Sequence, residues 1–246
     1  MNGVVDMRAI IMAGGKGTRL RPYTTLIPKP LVPIGGEMPI MEMIIRQLAF
    51  YKFDHITVCL NHLADIIKAF FGDGSKWNVH IDYSMEDEPL STIGPLTLIE
   101  GLPDNFLVLN GDILCDLKYS DLMNYHIANK NKVTVATYKR EVKIDFGVLE
   151  FDNKNRIING FREKPIYHFD VSMGIYCINK NVIENIPKGK IYGFDTLMLD
   201  GIKSKEQYRS YSFDGFWLDI GRPDDYDYCN ENYLKIKEKL ISSHKK

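Results

Sequence analysis

The chain has 246 residues, of which 45% are hydrophobic and 26% charged, a composition typical of one large α/β domain or of a domain with a small appendage. Its formal net charge of −1 excludes a global attraction to nucleic acid or to an anionic membrane, and no apolar run approaches the length of a membrane span. The N-terminal segment MNGVVDMRAI lacks a signal-peptide pattern, and the four cysteines are too widely spaced for a zinc site or a compact disulfide scaffold. We therefore expect a cytoplasmic protein with reduced, packed thiols, no nucleic-acid partner and no membrane partner.

The first predicted element is a short buried strand in the run AIIMA, followed by a glycine-rich turn and a basic segment. Gly14, Gly15 and Gly17 leave room for several backbone N–H groups to point at one ligand. Arg19 and Lys29 are the residue types that neutralise bound oxyanions. The spacing GGxG is neither the dinucleotide fingerprint nor the Walker pattern. The stretch therefore predicts a phosphate site; the alternative is an ordinary turn with a solvated basic face.

Strands and helices alternate after this loop. The pattern predicts a helix opened by Pro39 and ending near Tyr51, a strand over residues 55–60, a helix over 64–71 and a strand over 79–83. Such alternation is typical of a parallel sheet with crossover helices. We therefore predict an α/β fold, Rossmann-like, with a mixed, mostly parallel central sheet flanked by helices.

An acidic loop over residues 86–95 leads into a short apolar helix. Because Gly94 and Pro95 stand near the helix start, we expect backbone groups there to be open to the flat edge of a ligand. On the residues alone, a simple N-cap with solvated acids is about equally consistent with this loop.

Two carboxylates are candidate metal ligands. An apolar strand over residues 106–109 ends near Asp112, and residues 113–115 are expected to continue it. Ligands of open α/β sheets bind beyond the carboxyl ends of strands, and one carboxylate facing a phosphate loop suits Mg²⁺. Asp219 stands in the apolar, aromatic segment GFWLDIGRP, where an unpaired carboxylate is costly. The alternatives are a capping Asp112 in a turn and an Asp219 bonded to backbone amides.

The second half of the chain is richer in strands. After a helix over residues 120–129, the predicted strands cover residues 132–138, 147–151, 156–161 and 171–178, with short turns between them. Such a run predicts a smaller antiparallel or mixed portion, which we expect to hold a second substrate. A closing helix over residues 223–241 and a basic tail at 245–246 complete the predicted elements.

Several motifs, in this order, resemble those of the sugar-1-phosphate nucleotidyltransferases. The segments GGKGTRLRPYT and PKP match the family's opening signature, and EPLSTIGPL, FREKP and GFWLDIGRP match its base, sugar-phosphate and second-metal segments. The resemblance extends from about Met7 to about Tyr228 and is nearest to mannose-1-phosphate guanylyltransferases. Those proteins commonly continue into a β-helix of hexapeptide repeats, and we see no repeats of any period in this sequence.

The resemblance implies a single domain over residues 1–246, with a nucleotide-binding half (7–130), a smaller antiparallel sugar-binding portion (131–222) and the closing helix (223–241). It implies catalytic roles for Arg19, Lys29, Asp112 and Asp219, of which Asp112 and Asp219 would hold Mg²⁺. The residues that it implies for nucleotide binding are Ala13, Gly14, Gly15, Gly17, Thr18, Glu88, Pro89 and Gly94. Those that it implies for sugar-phosphate binding are Gly147, Glu163, Lys164 and Ser172.

Within the sugar-phosphate set, Glu163 would bind sugar hydroxyls and Lys164 the phosphate. On chemistry alone, however, this pair is also consistent with a solvated charged turn. Ser172 and Met173 replace the Asn-Ala that the family often has before a glycine, which leaves the identity of the sugar open.

The implied reaction joins an NTP and a sugar 1-phosphate into an NDP-sugar with release of pyrophosphate, with GTP and a manno-configured sugar favoured. The alternatives are a transferase that uses UTP, dTTP or CTP, a non-catalytic relative that senses NDP-sugars, and a metal-dependent glycosyltransferase. A sensor would be expected to have lost some of the catalytic residues. A glycosyltransferase would be expected to have a DxD pair of acids where this sequence has NGD, with one acid. Because many family members self-associate, a homo-oligomer is a further expectation.

Overall fold

The computed structural model describes residues 7–241, so the tail predicted at residues 245–246 lies outside the described part of the chain. The strands are β1 (Arg8–Met12), β2 (Pro33–Ile34), β3 (Met38–Pro39), β4 (His55–Leu60), β5 (His80–Met85), β6 (Asn105–Asn110), β7 (Ile113–Cys115), β8 (Val133–Lys143), β9 (Val148–Phe151), β10 (Ile158–Arg162), β11 (Ile166–Asn179), β12 (Tyr208–Phe213) and β13 (Trp217–Asp219). The helices are α1 (Ile40–Phe50), α2 (Ala64–Phe71), α3 (Tyr119–Ala128), α4 (Lys180–Glu184), α5 (Phe194–Lys203), α6 (Pro223–Glu231) and α7 (Tyr233–Leu240). Short 3-10 turns lie at Thr18–Leu20, Lys29–Leu31, Ser75–Trp77 and Gly94–Leu98.

A seven-stranded sheet forms the centre of the fold, in the order β12-β8-β11-β6-β1-β4-β5. Parallel pairing joins β6, β1, β4 and β5, and also β8 and β12, whereas β11 runs antiparallel to both of its neighbours. Helix α1 precedes β4 and helix α2 precedes β5, as crossover connections require. The prediction of a Rossmann-like α/β fold with a mixed, mostly parallel sheet flanked by helices is confirmed.

The sheet separates two apolar clusters, because successive side chains of a strand point to opposite faces. In β1, Ala9 and Ile11 belong to one cluster and Ile10 to the other. All three side chains are fully buried, which explains why β1 is a continuous apolar run rather than an alternating one. The four cysteines are unpaired and buried, in agreement with the expectation of packed thiols.

Several predicted elements of the first half are present at or near their predicted bounds. The strand at residues 55–60 and the helix at 64–71 coincide with β4 and α2. Pro39 directly precedes α1 in an extended conformation, where its missing N–H costs no helical hydrogen bond. The short helix expected after the acidic loop is the 3-10 turn Gly94–Leu98.

The prediction that residues 113–115 continue β6 is wrong. After β6 the chain turns at Gly111, whose N–H donates to Met12 O at 3.0 Å, and the next residues form β7 outside the central sheet. β7 pairs with β13 in an antiparallel ladder that places Ile113 opposite Asp219. This ladder joins two segments that lie far apart in the sequence.

Strands β8 and β11 extend beyond the sheet as a two-stranded arm, and the antiparallel β9–β10 hairpin is inserted between them. β8 is buried in its first four residues and exposed in its last five. The arm pairs Lys143 with Ile166, so both strands are longer than predicted. The arm and the hairpin form the smaller antiparallel portion that the sequence predicted.

Three elements of the second half, α4, α5 and β12, are not predicted by the sequence pattern. β12 is an edge strand with the mostly polar sequence YRSYSF, so it lacks the apolar signal of a buried strand. Pro223 opens α6, but the predicted closing helix is two helices that meet at Asn232. At this junction the Asn232 side-chain amide donates to Tyr228 O at 2.9 Å, and the Asn232 backbone N–H donates to the same oxygen at 3.1 Å. No helix within residues 7–241 is both long and apolar enough to cross a membrane.

Candidate active site

Two loops meet at the carboxyl ends of the central parallel strands. β1 and β6 are parallel neighbours, with Met12 opposite Asn110, so the glycine-rich loop after β1 lies beside Asp112. The Ala13 N–H donates to Cys59 O at 3.0 Å, which anchors the start of the loop to β4. Open α/β sheets bind their ligands at this edge. The fold therefore brings the predicted phosphate loop and a predicted metal ligand together.

The glycines of the loop have distinct structural roles. Gly17 has a left-handed backbone, with φ 60° and ψ 24°, and its carbonyl accepts a hydrogen bond from Thr24 Oγ1 at 2.7 Å. A Cβ at Gly14 would lie 2.9 Å from Glu86 Oε1, so a larger residue would collide with that carboxylate. A Cβ at Gly15 would meet no heavy atom within 4 Å, which leaves space for a ligand beside the backbone. The loop thus has the open backbone that a phosphate site requires.

A cavity of about 190 Å³, here called the phosphate cavity, lies over this loop. The predicted site residues that line it are Ala13, Gly15, Gly17, Thr18, Arg19, Lys29 and Asp112. The Lys29 ammonium forms an ion pair with the Asp112 carboxylate. Lys29 is only 9% exposed and lies between Pro28 and Pro30, which restrict the backbone of its 3-10 turn. The predicted cations and one predicted metal ligand therefore share one cavity.

Asp219 reaches this cleft from the other half of the chain. The Ile220 N–H donates to Asp112 O at 3.1 Å, and the next residue, Gly221, lines the phosphate cavity. The Cβ position of Gly221 lies 3.6 Å from Arg19 Nη1 and 3.7 Å from Asp219 Oδ1. The Arg19 guanidinium and the Asp219 carboxylate therefore approach the same glycine.

The four charged groups of the cleft interact. The pKa of Asp219 is raised above its ordinary value, chiefly because neighbouring protein atoms displace water from its carboxylate. The negative charge of Asp112 raises this pKa further, whereas Lys29 and Arg19 lower it. Carboxylate oxygens are ligands that Mg²⁺ prefers, so Asp112 and Asp219 have the chemistry to hold a divalent cation.

A second cavity of about 310 Å³, the base cavity, adjoins the phosphate cavity and shares Met12, Gly15 and Asp112 with it. Its other lining residues are Gly14, Asn61, Glu86, Pro89, Ser91, Thr92 and Asn110. Gly14 and Pro89, both predicted to contact the nucleotide, therefore line it. Its position suits the base of a nucleotide whose phosphates lie over the glycine loop.

Glu86 is a buried carboxylate of the base cavity that the sequence placed only within the acidic loop. It is 8% exposed, its Oε2 accepts a hydrogen bond from the Leu90 N–H at 2.8 Å, and its Oε1 lies beside Gly14. Burial raises the pKa of Glu86, and the hydrogen bond from Leu90 opposes that shift. Glu88, the residue that the motif suggested, is exposed and does not line this cavity. Both acids belong to one acidic loop, and no local signal distinguishes them.

The expectation of open backbone groups at Gly94 and Pro95 is wrong. The Gly94 N–H donates to Tyr192 O at 2.9 Å, and a Cβ there would lie 2.5 Å from Lys190 O. Both residues are buried, because the segment that leads into α5 covers this turn. Gly94 therefore allows close packing of two backbone segments and does not line the base cavity.

A third cavity of about 450 Å³ lies on the other side and shares Arg19 and Gly221 with the phosphate cavity. Its other lining residues are Tyr138, Arg140, Trp217, Leu218, Asp219, Arg222 and Asp225. The rings of Tyr138 and Trp217 are 5.2 Å apart, centroid to centroid, with an interplanar angle of 37°. The cleft thus continues from the base cavity, past the glycine loop, to the third cavity, which is lined by aromatic and charged side chains.

The residues predicted to bind the sugar phosphate do not line these three cavities. Gly147 and Glu163 are neighbours, since a Cβ at Gly147 would lie 3.2 Å from Glu163 Oε2. Lys164 is exposed, with a φ of 44°, between β10 and β11. Ser172 lies at a register break of β11, and its Oγ accepts a hydrogen bond from the Gly174 N–H at 3.3 Å. Their roles in binding stay predictions.

Known proteins share both the sequence pattern and the fold. The nucleotidyl transferase family profile matches residues 8–236. Over 228 residues the chain is 32% identical to a mannose-1-phosphate guanyltransferase of Schizosaccharomyces pombe, a match that covers 89% of this chain and 62% of that protein. It is 34% identical over 240 residues to a UTP–glucose-1-phosphate uridylyltransferase of Synechocystis sp., a match that covers 89% of this chain and 61% of that protein. The chain therefore spans less than two thirds of the length of these curated relatives.

A similar fold occurs in HddC from Yersinia pseudotuberculosis, whose crystal structure was solved in complex with GMP-PN. The TM-score is 0.70 at 27% sequence identity, and the match covers 92% of this chain and 99% of that chain. The family profile begins at the first residue of β1 and ends within α7, so it includes every residue that lines the three cavities. The chain belongs to the nucleotidyl transferase family.

Proposed function

We propose that the protein transfers a nucleoside monophosphate from an NTP to a sugar 1-phosphate, giving an NDP-sugar and pyrophosphate. The favoured substrates are GTP and mannose 1-phosphate or a related manno-configured sugar. The observation that carries the proposal is one cleft in which the glycine loop, two cations and two carboxylates lie between two larger cavities. The similarity to a guanyltransferase and a uridylyltransferase of sugar 1-phosphates supports the reaction class.

Glu86 supports guanine as the base. An ionised carboxylate offers only acceptors, and the Watson–Crick edge of guanine carries two adjacent donors, N1–H and the N2 amino group. Glu86 Oε2 already accepts from Leu90, whereas Oε1 lies beside Gly14 at the base cavity. Uracil and thymine present one N–H between two carbonyl oxygens, and those oxygens would repel a carboxylate.

The reaction needs no covalent intermediate on the protein. An oxygen of the sugar 1-phosphate attacks the α-phosphorus of the NTP, and the bond from that phosphorus to the bridging oxygen of the β-phosphate breaks. The electron pair of that bond leaves with pyrophosphate. Because the attacking phosphate is already an anion, no general base is required. Arg19 and Lys29 would neutralise the charge that develops on the leaving pyrophosphate.

We propose Mg²⁺ as the cofactor, held by Asp112 and Asp219. These residues fit the cation, since the pairing of β7 with β13 and the Ile220 N–H bond to Asp112 O bring two carboxylates into one cleft, and carboxylate oxygens are ligands that Mg²⁺ prefers. Mg²⁺ uses few protein oxygens and takes its remaining ligands from water and phosphate. When bound, it supplies charge neutralisation and alignment of the two reacting phosphates. Lys29, the ion-pair partner of Asp112, would then exchange that carboxylate for phosphate oxygens.

The test is pyrophosphate release by the full chain with Mg²⁺, measured for GTP, UTP, dTTP and CTP, each with mannose, glucose and heptose 1-phosphates. We expect release with GTP and a manno-configured acceptor, and strongly reduced release from an Asp112→Asn control. Release only with another nucleotide would retain the reaction class and reject guanine. Folded protein that binds a nucleotide but releases no pyrophosphate with any pair would contradict the transfer reaction and favour a sensing role.

A further inference from the structure

A cluster of two histidines and one aspartate lies at the edge of the central sheet opposite to the proposed active site. His55 is the first residue of β4, His80 is the first residue of β5, and Asp82 follows two residues later on β5. The ligand atoms of these three side chains all lie within 4.8 Å of one another. Imidazole nitrogens and carboxylate oxygens are the ligands of many divalent transition-metal sites. The proposed function assigns this cluster no role.

The pairing of β4 with β5 explains why these side chains share one face of the sheet. The two strands are parallel neighbours, with His55 opposite His80 and Thr57 opposite Asp82. Residues opposite each other on adjacent strands point to the same face, and so do residues two apart on one strand. The rings of His55 and His80 are accordingly 5.1 Å apart, centroid to centroid. Strand register therefore brings the three side chains together.

The Asp82 carboxylate is held in position by its neighbours. Its Oδ2 accepts hydrogen bonds from Arg8 Nη2 at 3.0 Å and from the His55 ring, whose Nε2 lies 2.9 Å away. Arg8 is 5% exposed and also donates to Thr57 Oγ1 and to two backbone carbonyl oxygens, so its guanidinium is fixed. Asp82 Oδ1 is buried and has no hydrogen-bond partner among the described residues. Because an unpartnered buried carboxylate oxygen is costly, this side chain has unused capacity to bind a cation.

The spacing of the ligand atoms is close to that of a metal site. Nitrogen and oxygen ligands bind Zn²⁺ at about 2.0–2.1 Å, which places them about 3.3 Å apart at the corners of a tetrahedron. His55 Nε2 and Asp82 Oδ2 are 2.9 Å apart, and the exposed side chain of His80 can approach them by rotation. The Asp82 side chain is 38% exposed, so an ion can reach it from solvent. The ion would take the place of the proton between His55 and the carboxylate.

We propose that His55, His80 and Asp82 bind a divalent transition-metal ion, represented here by Zn²⁺, with water completing the coordination. Imidazole ligands favour such ions over Mg²⁺ and Ca²⁺, which prefer oxygen ligands. The charge of Arg8 opposes the ion, so we expect weaker binding than at a site with four protein ligands. The site is distinct from the proposed Mg²⁺ site. His55 stands four residues before Cys59, whose carbonyl anchors the glycine loop, and this separation is about 13 Å along β4 at about 3.3 Å per residue.

The bound ion would join β4 to β5, the edge strand of the central sheet. An edge strand is paired with a neighbour on one side only, so fewer hydrogen bonds hold it in place. A ligand that binds the folded chain and not the unfolded chain increases stability. The role that follows for the ion is structural, and the inference goes beyond the proposed function without depending on it.

The binding test measures the affinity and stoichiometry of Zn²⁺ by competition with a chromogenic chelator. The parent protein is the Asp112→Asn variant, in which the other proposed cation site is disabled. Loss of an outer-shell partner weakens metal binding by about 10- to 100-fold, so loss of a ligand should weaken it by at least that factor. We expect one Zn²⁺ per chain, and this weakening in both His55→Gln and His80→Gln.

His168→Gln is the matched control, because His168 is also exposed and stands beside an acid, Glu141. It should bind Zn²⁺ as the parent does. A parent protein that binds no Zn²⁺, or an affinity unchanged by His80→Gln, would overturn the inference.

A stability measurement tests whether the bound ion holds the two strands together. The Tm of the parent protein and of its His80→Gln variant is measured without added metal, with Zn²⁺ and with Mg²⁺. Because His80 is exposed, both proteins should fold without metal. We expect Zn²⁺ to raise the Tm of the parent and not of the variant, and Mg²⁺ to affect both alike. Equal Zn²⁺ shifts in the two proteins would contradict the site. In the otherwise wild-type chain, His80→Gln should leave pyrophosphate release with Mg²⁺ unchanged, so this inference and the proposed function can fail separately.

Discussion

Replacing Glu86 by glutamine should shift the nucleotide preference of the protein away from GTP. The substitution keeps the shape of the side chain and converts one carboxylate oxygen into an amino group. Because Glu86 is 8% exposed and its Oε2 accepts from the Leu90 N–H at 2.8 Å, the amide oxygen should keep that bond. The new amino group then lies at the base cavity beside Gly14, where it would oppose the donors of guanine.

The size of the effect follows from the burial of this side chain. A hydrogen bond to a charged group contributes about 1.5–3 kcal/mol, and a buried donor without a partner costs about 1–3 kcal/mol. A combined loss of roughly 3 kcal/mol corresponds to about a 100-fold decrease in kcat/KM for GTP. The new amino group can donate to a carbonyl oxygen of uracil, so kcat/KM for UTP should stay unchanged or rise. The Tm should not fall, because burial raises the pKa of Glu86 and a neutral amide avoids the cost of a buried charge.

The assay measures kcat/KM for GTP and for UTP at a fixed sugar 1-phosphate. Glu88→Gln is the matched control, since Glu88 is exposed and does not line the base cavity. It should behave as the wild type. If Glu86→Gln leaves the ratio of the GTP and UTP values unchanged, Glu86 does not contact the base and the argument for guanine is refuted, even where the transfer reaction proceeds.

The site and the core should also respond to smaller changes. Asp112→Asn should lower kcat by about 10²- to 10³-fold, because it removes a proposed metal ligand and the ion-pair partner of Lys29; a steady-state kcat close to that of the wild type would contradict its role. Gly17→Ala should reduce the free energy of unfolding in urea by about 1–2 kcal/mol, because alanine must adopt a φ of 60°. Gly15→Ala, whose Cβ would meet no heavy atom within 4 Å, is its control, and equal stabilities would exclude this explanation. Burial lowers the pKa of His126 to about 4, so the folded chain resists a proton that the unfolded chain takes up near pH 6.5. Stability in urea should therefore fall by up to roughly 3 kcal/mol as the pH decreases from about 6.5 to about 4, and His126→Gln should remove most of that slope.

Local patterns predicted the glycine loop and the two cations that line the phosphate cavity. Gly14, Gly15 and Gly17 lie within four residues, and their conformational freedom is a property of the residues themselves. The bounds of β4 and α2 coincide with the predictions because their apolar periodicities are strong and lie within one window. Arg19 and Lys29 follow the loop closely in sequence, so they are expected to lie near it. Both residues line the phosphate cavity.

Contacts between distant segments decided the parts that the sequence did not predict. Glu86 and Glu88 look alike in the sequence, but the fold buries the first against Gly14 and leaves the second exposed. The sequence predicts that Gly94 leaves the start of a helix open, but its N–H donates to the carbonyl oxygen of Tyr192. Burial of a particular acid or amide depends on what packs over it, and no local window contains that information.

On its own, the amino-acid sequence predicts the α/β class, the glycine-rich loop and the residue types of the proposed catalytic centre, because each of these depends on the spacing of near neighbours. The assembled fold determines how those residues are combined. Asp112 and Asp219 share one cleft only because β7 pairs with β13, and Arg140 rather than Lys164 lines the third cavity because of its place on β8. Strand register and pairing depend on the summed burial of many distant side chains, so they become visible only when the whole chain is packed.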